Sequence, residues 1–327
     1  VTPILVAENV TRRFTPRLTL GDHIASALGA KVDRRAVQAV TDVSLAVQRG
    51  ETLGLVGESG CGKSTLGRML AGILPPTEGR VLLHGAAPMR SGHKTTTRIQ
   101  TVFQDPFASL NPRLRIGETI AEGPVTHGLV ARGQAARFAG EWLTKVGLDP
   151  AYAMRFPHQF SGGQRQRVAI ARALAMQPEV LVCDEPVASL DVSIQAQILN
   201  LFLDLRRALG LTSLFISHDL AVVRHVSDRV AVMYLGRIVE LGEAAKVYAL
   251  PRHPYTKALL DSVPKLAVSG NAGVTFRLIR GELPSPLSPP TGCAFHPRCP
   301  QATERCRNER PVLESHTDGT LVACHHA

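Results

Sequence analysis

Apolar residues along the first 240 or so positions fall into short runs separated by helically spaced stretches. Ile4, Leu5, Val6 and Val10 mark residues 1–14 as a strand. Residues 37–47 alternate apolar and polar positions weakly, as an antiparallel strand does. Residues 52–56, 180–183 and 213–216 are continuous apolar runs, the pattern of strands buried on both faces. Residues 230–241 read as a hairpin turning near Gly236. Between these runs the period changes. Residues 65–74 are helix-like; within 135–146, Phe138, Trp142 and Val146 stand four apart on one helical face. Within 195–209, Ile198, Leu201, Phe202 and Leu205 repeat at helical spacing. Residues 15–36 are irregular and basic (Arg17, Lys31, Arg34, Arg35) and read as an inserted loop. Strands alternating with helices predict an α/β fold whose mainly parallel sheet carries helices on both faces.

After about residue 245 the pattern changes. Ten of the 22 prolines lie from Pro251 onward, and four of the six cysteines fall in the last 35 residues. A boundary is therefore expected there, with domains at 1–245 and 246–327. Few strand runs and several helix-like stretches in 105–178 predict a helical subdomain. No stretch approaches the roughly 20 consecutive apolar residues that span a bilayer. The opening VTPILVAENVTRRF lacks the basic segment and apolar run of a secretion signal. A cytosolic chain, or one held to a membrane by other subunits, is the expectation. The net charge of +10 favours nucleotide phosphates, nucleic acid or an anionic membrane surface without choosing among them.

Three motifs carry chemistry. Gly57, Glu58, Ser59, Gly60, Cys61, Gly62, Lys63, Ser64 and Thr65 form a G-x-x-x-x-G-K-S loop between a strand and a helix-like run, the context a phosphate loop requires. Its glycines let backbone N–H groups turn toward phosphate oxygens, and the helix presents its positive end to the same anion. Lys63 would reach the β- and γ-phosphates, and Ser64 would ligate Mg²⁺. Second, Asp184 and Glu185 emerge at the C-terminal end of a buried strand, where ligands sit in open α/β sheets. Asp184 is expected to hold Mg²⁺ and Glu185 to activate the attacking water. Third, Ser161, Gly162, Gly163 and Gln164 precede a helical stretch; Ser161 reads as its N-cap, and the glycines leave the backbone open to an anion.

Taken in order, the phosphate loop, Gln104, S-G-G-Q, the strand-borne Asp-Glu, Ser189-Leu190-Asp191 and His218 resemble the ABC ATPase superfamily over residues 1–245. The resemblance implies a RecA-like core, an antiparallel β subdomain and a helical subdomain. It implies that Phe14 stacks on adenine, that Gln104 touches Mg²⁺ and water and couples to transmembrane subunits, and that His218 contacts the γ-phosphate. It further implies a head-to-tail ATPase dimer, in which Ser161, Gly162, Gly163 and Gln164 close over the partner's ATP and Asp191 bridges to the partner's site. Phe160 replaces the commoner leucine, an apolar exchange of little consequence.

His253-Pro-Tyr-Thr-Lys-Ala-Leu-Leu260 and Gly281-Glu-Leu-Pro-Ser-Pro286 resemble the extension on ATPases of oligopeptide and dipeptide importers, with nickel importers close by. The implied partners are two permeases, a second and paralogous ATPase, and an extracytoplasmic binding protein, with the chain at the cytoplasmic face of the membrane and no nucleic acid bound. Cys293, Cys299, Cys306 and Cys324 lack the C-x₂-C pairs of common zinc ribbons. Four thiolates suit a [4Fe–4S] cluster, which the resemblance favours; zinc, with His296, His316, His325 and His326 nearby, and free thiols or disulfides are alternatives. These cysteines are expected to pin a small C-terminal domain. Three rival functions stand beside peptide import: the same role for nickel or another small solute, a soluble ABC ATPase acting on ribosomes or DNA, and a non-hydrolysing regulatory module.

Overall fold

The computed structural model describes residues 2–16, 35–262, 279 and 281–327. The basic segment expected to be an inserted loop lies mostly outside them. Strands β1 (Pro3–Phe14) and β2 (Val37–Gln48) pair antiparallel, as the alternation predicts, and β4 (Glu78–Leu83) pairs with the other edge of β1. A short hairpin, β5 (Met89–Arg90) with β6 (His93–Lys94), follows.

The larger sheet has eight strands in the order β12-β13-β11-β10-β3-β9-β8-β7. Its parallel part comprises β10 (Arg229–Tyr234), β3 (Thr52–Val56), β9 (Thr212–Ile216), β8 (Val180–Asp184) and β7 (Ile99–Val102). Every residue of β3, β8 and β9 is buried, which explains why these strands read as unbroken apolar runs. Successive side chains point to opposite faces and serve two cores. Leu53, Leu55, Leu214 and Ile216 pack with β1, β2 and helix α1 (Lys63–Leu70); Val56, Leu181 and Phe215 face the helices on the other side.

Those helices are α2 (Pro106–Ser109), α3 (Ile116–Thr126), α4 (Ala135–Lys145), α5 (Gly162–Ala175), α6 (Val192–Leu209) and α7 (Leu220–Val226). On α4, Trp142 is buried and meets Phe138 edge-on at 6.4 Å between ring centres, so the stripe read from sequence is a packing face. Gly236, with φ at +78°, turns β10 into antiparallel β11 (Arg237–Glu243).

The C-terminal extension departs from the expected separate cysteine-rich domain. It contains α8 (Ala244–Ala249), α9 (Pro254–Asp261), α10 (Glu304–Asn308), β12 (Glu314–Ser315) and β13 (Leu321–Val322). Strand β13 pairs with β11 and extends the main sheet, while Tyr255 and Phe295 are fully buried in the helix-side core. Glu240, fully buried on β11, accepts hydrogen bonds from the backbone N–H groups of Arg252 at 2.8 Å and His253 at 3.0 Å. The extension therefore shares the hydrophobic core of the preceding residues; a short proline-rich chain has too little apolar surface to build one of its own.

Candidate nucleotide site

The loop after β3 wraps the start of α1. Gly62, at φ +107°, holds a conformation that side chains rarely adopt, and a Cβ there would run into the Ala39 carbonyl oxygen. The turn brings Lys63 back under its own loop. Its ammonium is buried and donates to the carbonyl oxygens of Gly57 and Glu58, each at 2.9 Å. No carboxylate pairs with Lys63 among the ion pairs of the described residues, so this buried cation is matched by neutral groups, two carbonyl dipoles and the Cys61 sulfur at 4.0 Å. Such an ammonium favours an incoming anion.

Ser64 Oγ donates to Asp184 Oδ1 at 2.8 Å. Burial pushes the Asp184 carboxyl above its usual range, opposed first by that hydrogen bond and then by the charge of Arg68. A hydroxyl and a carboxylate side by side at the mouth of a phosphate loop are hard oxygen donors, a set that fits Mg²⁺.

Glu185 follows the end of β8 with φ at +48°, an uncommon region for a non-glycine residue. Its N–H is held by the Ile216 carbonyl at 3.0 Å. One carboxylate oxygen receives two contacts: His218 Nδ1 at 3.1 Å and Gln104 Nε2 at 3.4 Å. Strained backbone of this kind costs about 1–3 kcal/mol and is characteristic of functional sites. Two residues, one just after β7 and one just after β9, thereby meet on one oxygen of the residue that follows β8.

Ser59, Gly60, Gly62, Lys63, Ser64, Thr65, Gln104, Glu185 and Phe14 line one open cavity of about 390 Å³. Phe14 is 39% exposed at the cavity wall, with the Arg12 guanidinium over its ring at 4.8 Å from the centre. Two expected ATP-binding side chains turn elsewhere. Cys61 is buried beneath the loop, where desolvation raises its thiol, and Glu58 faces the C-terminal extension. Pro286, also on the wall of the cavity, was not foreseen as a site residue. The motif containing it, residues 281–286, marks a subfamily in the sequence and carries no chemical signal there.

Ser161, Gly162, Gly163, Gln164 and Asp191 do not line this cavity. Ser161 caps α5: its Oγ accepts from Gln164 N–H at 3.3 Å, and Gln164 Oε1 accepts from Ser161 N–H at 3.0 Å. Asp191 stands at the N-cap of α6 with no side-chain bond to the helix.

Cys293, Cys299, Cys306 and Cys324 come together around one small cavity with His253, His325 and His326. Burial pushes the Cys293 thiol up to about 11. Among the described residues, however, no three His, Cys, Asp or Glu side chains are grouped to hold a metal ion. The expected iron–sulfur or zinc site is not supported by this geometry. Among the described residues no helix is long and apolar enough to cross a membrane.

Comparison with known proteins places this geometry in context. Residues 40–188 match the ABC transporter family, and residues 239–306 match the C-terminal region of oligopeptide/dipeptide transporters. The probable peptide ABC transporter ATP-binding protein y4tS of Sinorhizobium fredii is 52% identical over 300 residues, covering 90% of this chain and 84% of its own. The di/tripeptide transport ATP-binding protein DppF of Pseudomonas aeruginosa is 48% identical over 329 residues, covering 99% and 98%. Among solved structures, cbiO1 from Clostridium perfringens, part of the ABC transporter complex cbiONQ, has a TM-score of 0.62 at 29% identity, over 76% of this chain and 91% of that one. The ATP-binding cassette MJ0796, in a dimeric post-hydrolysis state with ADP and Pi, has a TM-score of 0.60 at 27% identity, over 73% and 98%.

Proposed function

Because the chain belongs to the ABC transporter family and carries the C-terminal region of its oligopeptide/dipeptide transporters, we propose that it hydrolyses ATP to drive import of di- or oligopeptides across the cytoplasmic membrane. The observation that carries the ATPase reading is the meeting of Lys63, Asp184, Glu185 and His218 around the phosphate loop. In this reading the ATP phosphates sit on the N–H groups of residues 57–65 and on Lys63, and Phe14 stacks on the base. Glu185 orients the attacking water and takes its proton; His218 and Gln104 hold the Glu185 carboxylate and sense the γ-phosphate. Mg²⁺, bound with ATP at Ser64, Asp184 and Gln104, would neutralise charge on the phosphate oxygens.

The helical signature belongs to the partner's site. Ser161, Gly162, Gly163 and Gln164 lie outside this chain's own nucleotide cavity, so each would close over ATP held by a second ATPase, with Asp191 bridging the two. Closure of that kind completes the reacting group and excludes water. We place the chain at the cytoplasmic face, docked peripherally on two permeases that receive substrate from an extracytoplasmic binding protein. Peptide import is favoured over nickel by the peptide-transport names of the relatives at about half identity. Uptake of labelled dipeptide and of Ni²⁺ by cells with and without the gene decides between them. Loss of dipeptide uptake alone is the expected result; loss of Ni²⁺ uptake alone would overturn the substrate assignment.

For the four cysteines, a [4Fe–4S] ligand set rests on the likeness to the C-terminal region of oligopeptide/dipeptide transporters and on the chemistry of four thiolates, not on a formed metal site. Iron and acid-labile sulfide assayed on anaerobically purified protein test it. Near-stoichiometric amounts of both are expected for a cluster; zinc alone, or no metal, would remove it from the account.

A further inference from the structure

The C-terminal extension reaches into the phosphate loop. Arg298 Nη1 donates to Glu58 Oε2 at 2.6 Å and Nη2 donates to Glu58 Oε1 at 2.9 Å, a two-pronged ion pair spanning 240 positions of sequence. The Arg298 side chain is 5% exposed, and Nη2 also donates to the Gly281 carbonyl at 3.0 Å. The backbone N–H of Glu58 is held as well, donating to the Tyr255 hydroxyl at 2.9 Å. Tyr255 is locked in place by Tyr234 and Phe295, with ring centres 4.6 Å and 5.4 Å away. The Glu58 carbonyl, in turn, is one of the two oxygens that hold the Lys63 ammonium. Residues of the extension thus grip both the carboxylate and the backbone of a residue whose third polar group aims the phosphate-binding lysine.

The charges give this contact a purpose. A glutamate inside a phosphate loop places a negative charge next to a triphosphate and repels it. A planar, always-charged guanidinium that meets both carboxylate oxygens cancels that charge and turns it away from the nucleotide. We propose that the C-terminal extension is a built part of the ATP site. Arg298 is a positioning residue that neutralises and orients Glu58, and Tyr255 fixes the same loop by its backbone. The proposal rests on the reading of residues 57–65 as the ATP site, and its test separates the two.

Mg-ATP affinity is measured on the full chain by equilibrium binding. Arg298→Ala frees the Glu58 carboxylate and is expected to weaken binding about tenfold or more, since truncating one member of a buried charge pair strands the other. Turnover at saturating ATP stays near wild type, so the effect falls on KM rather than kcat. Because the freed carboxylate causes the loss, Arg298→Ala/Glu58→Gln should recover to within about threefold of wild type, a non-additivity that lost packing alone would not produce. Arg298→Lys keeps the charge without the fork and should fall between. If Arg298→Ala fails to fold, Arg298→Lys with and without Glu58→Gln carries the same comparison. Wild-type affinity in Arg298→Ala, or a double variant as weak as the single one, would overturn the proposal. Lys63→Ala serves as the control: if it loses Mg-ATP while Arg298→Ala does not, only the role of the extension fails; if it too binds normally, the loop assignment itself fails.

Discussion

Glu185→Gln is expected to lower ATP turnover about 10²- to 10⁴-fold, the usual contribution of a general base. That loss corresponds to about 2.7–5.5 kcal/mol of transition-state stabilisation. The substitution keeps the shape of the side chain and an oxygen able to accept from His218, now 3.1 Å from the carboxylate, and from Gln104 at 3.4 Å. What it removes is the ability to take a proton. The strained backbone at φ +48° persists because the Ile216 carbonyl holds the Glu185 N–H, so the amide should occupy the same place. Mg-ATP affinity should therefore change by less than about threefold, because a group that acts only in the transition state adds little to ground-state binding. Steady-state hydrolysis by the assembled transporter and equilibrium nucleotide binding measure the two halves of the prediction. Hydrolysis near the wild-type rate would contradict the assignment of Glu185 as base.

Lys63→Ala should fail one step earlier, at binding. Lys63 is 4% exposed, and its ammonium donates to the carbonyl oxygens of Gly57 and Glu58 and, more distantly, to Cys61 Sγ at 4.0 Å. A buried cation aimed by neutral acceptors gains its compensating charge when a polyphosphate arrives. Truncating it strands the phosphate, with a loss of about 2–5 kcal/mol, or at least about 30-fold in affinity. The variant's fold should survive, since Leu66, Met69 and Leu70 on α1 still bury their side chains against the sheet. Displacement of a fluorescent ATP analogue reads the effect. An unchanged dissociation constant would mean that the loop does not hold the triphosphate.

Much of this site is legible in the chain because its parts are local. A four-residue apolar run followed by Asp184 reads as a buried strand delivering a carboxylate to the sheet's C-terminal edge, and β8 does so. The Gly-rich turn, Lys63 and Ser64 lie within one strand–loop–helix unit, so spacing alone places them. The placement of the extension is not legible in the chain, for the opposite reason. Its link to the main sheet is the two-residue strand Leu321–Val322, too short to show any alternation. Its contact with the phosphate loop joins Arg298 to Glu58 across 240 positions, and no local pattern announces such a pair. Pro286 on the wall of the nucleotide cavity is hidden in the same way. The cysteines illustrate a further limit: spacing brought four thiols to one cavity, yet convergence is not coordination.

ATP hydrolysis by the reconstituted transporter, with and without peptide-loaded binding protein, tests the central claim most directly. The account predicts that loaded binding protein raises phosphate release and that Glu185→Gln abolishes the stimulated rate. Hydrolysis indifferent to peptide and to the permeases, or untouched by Glu185→Gln, would contradict it.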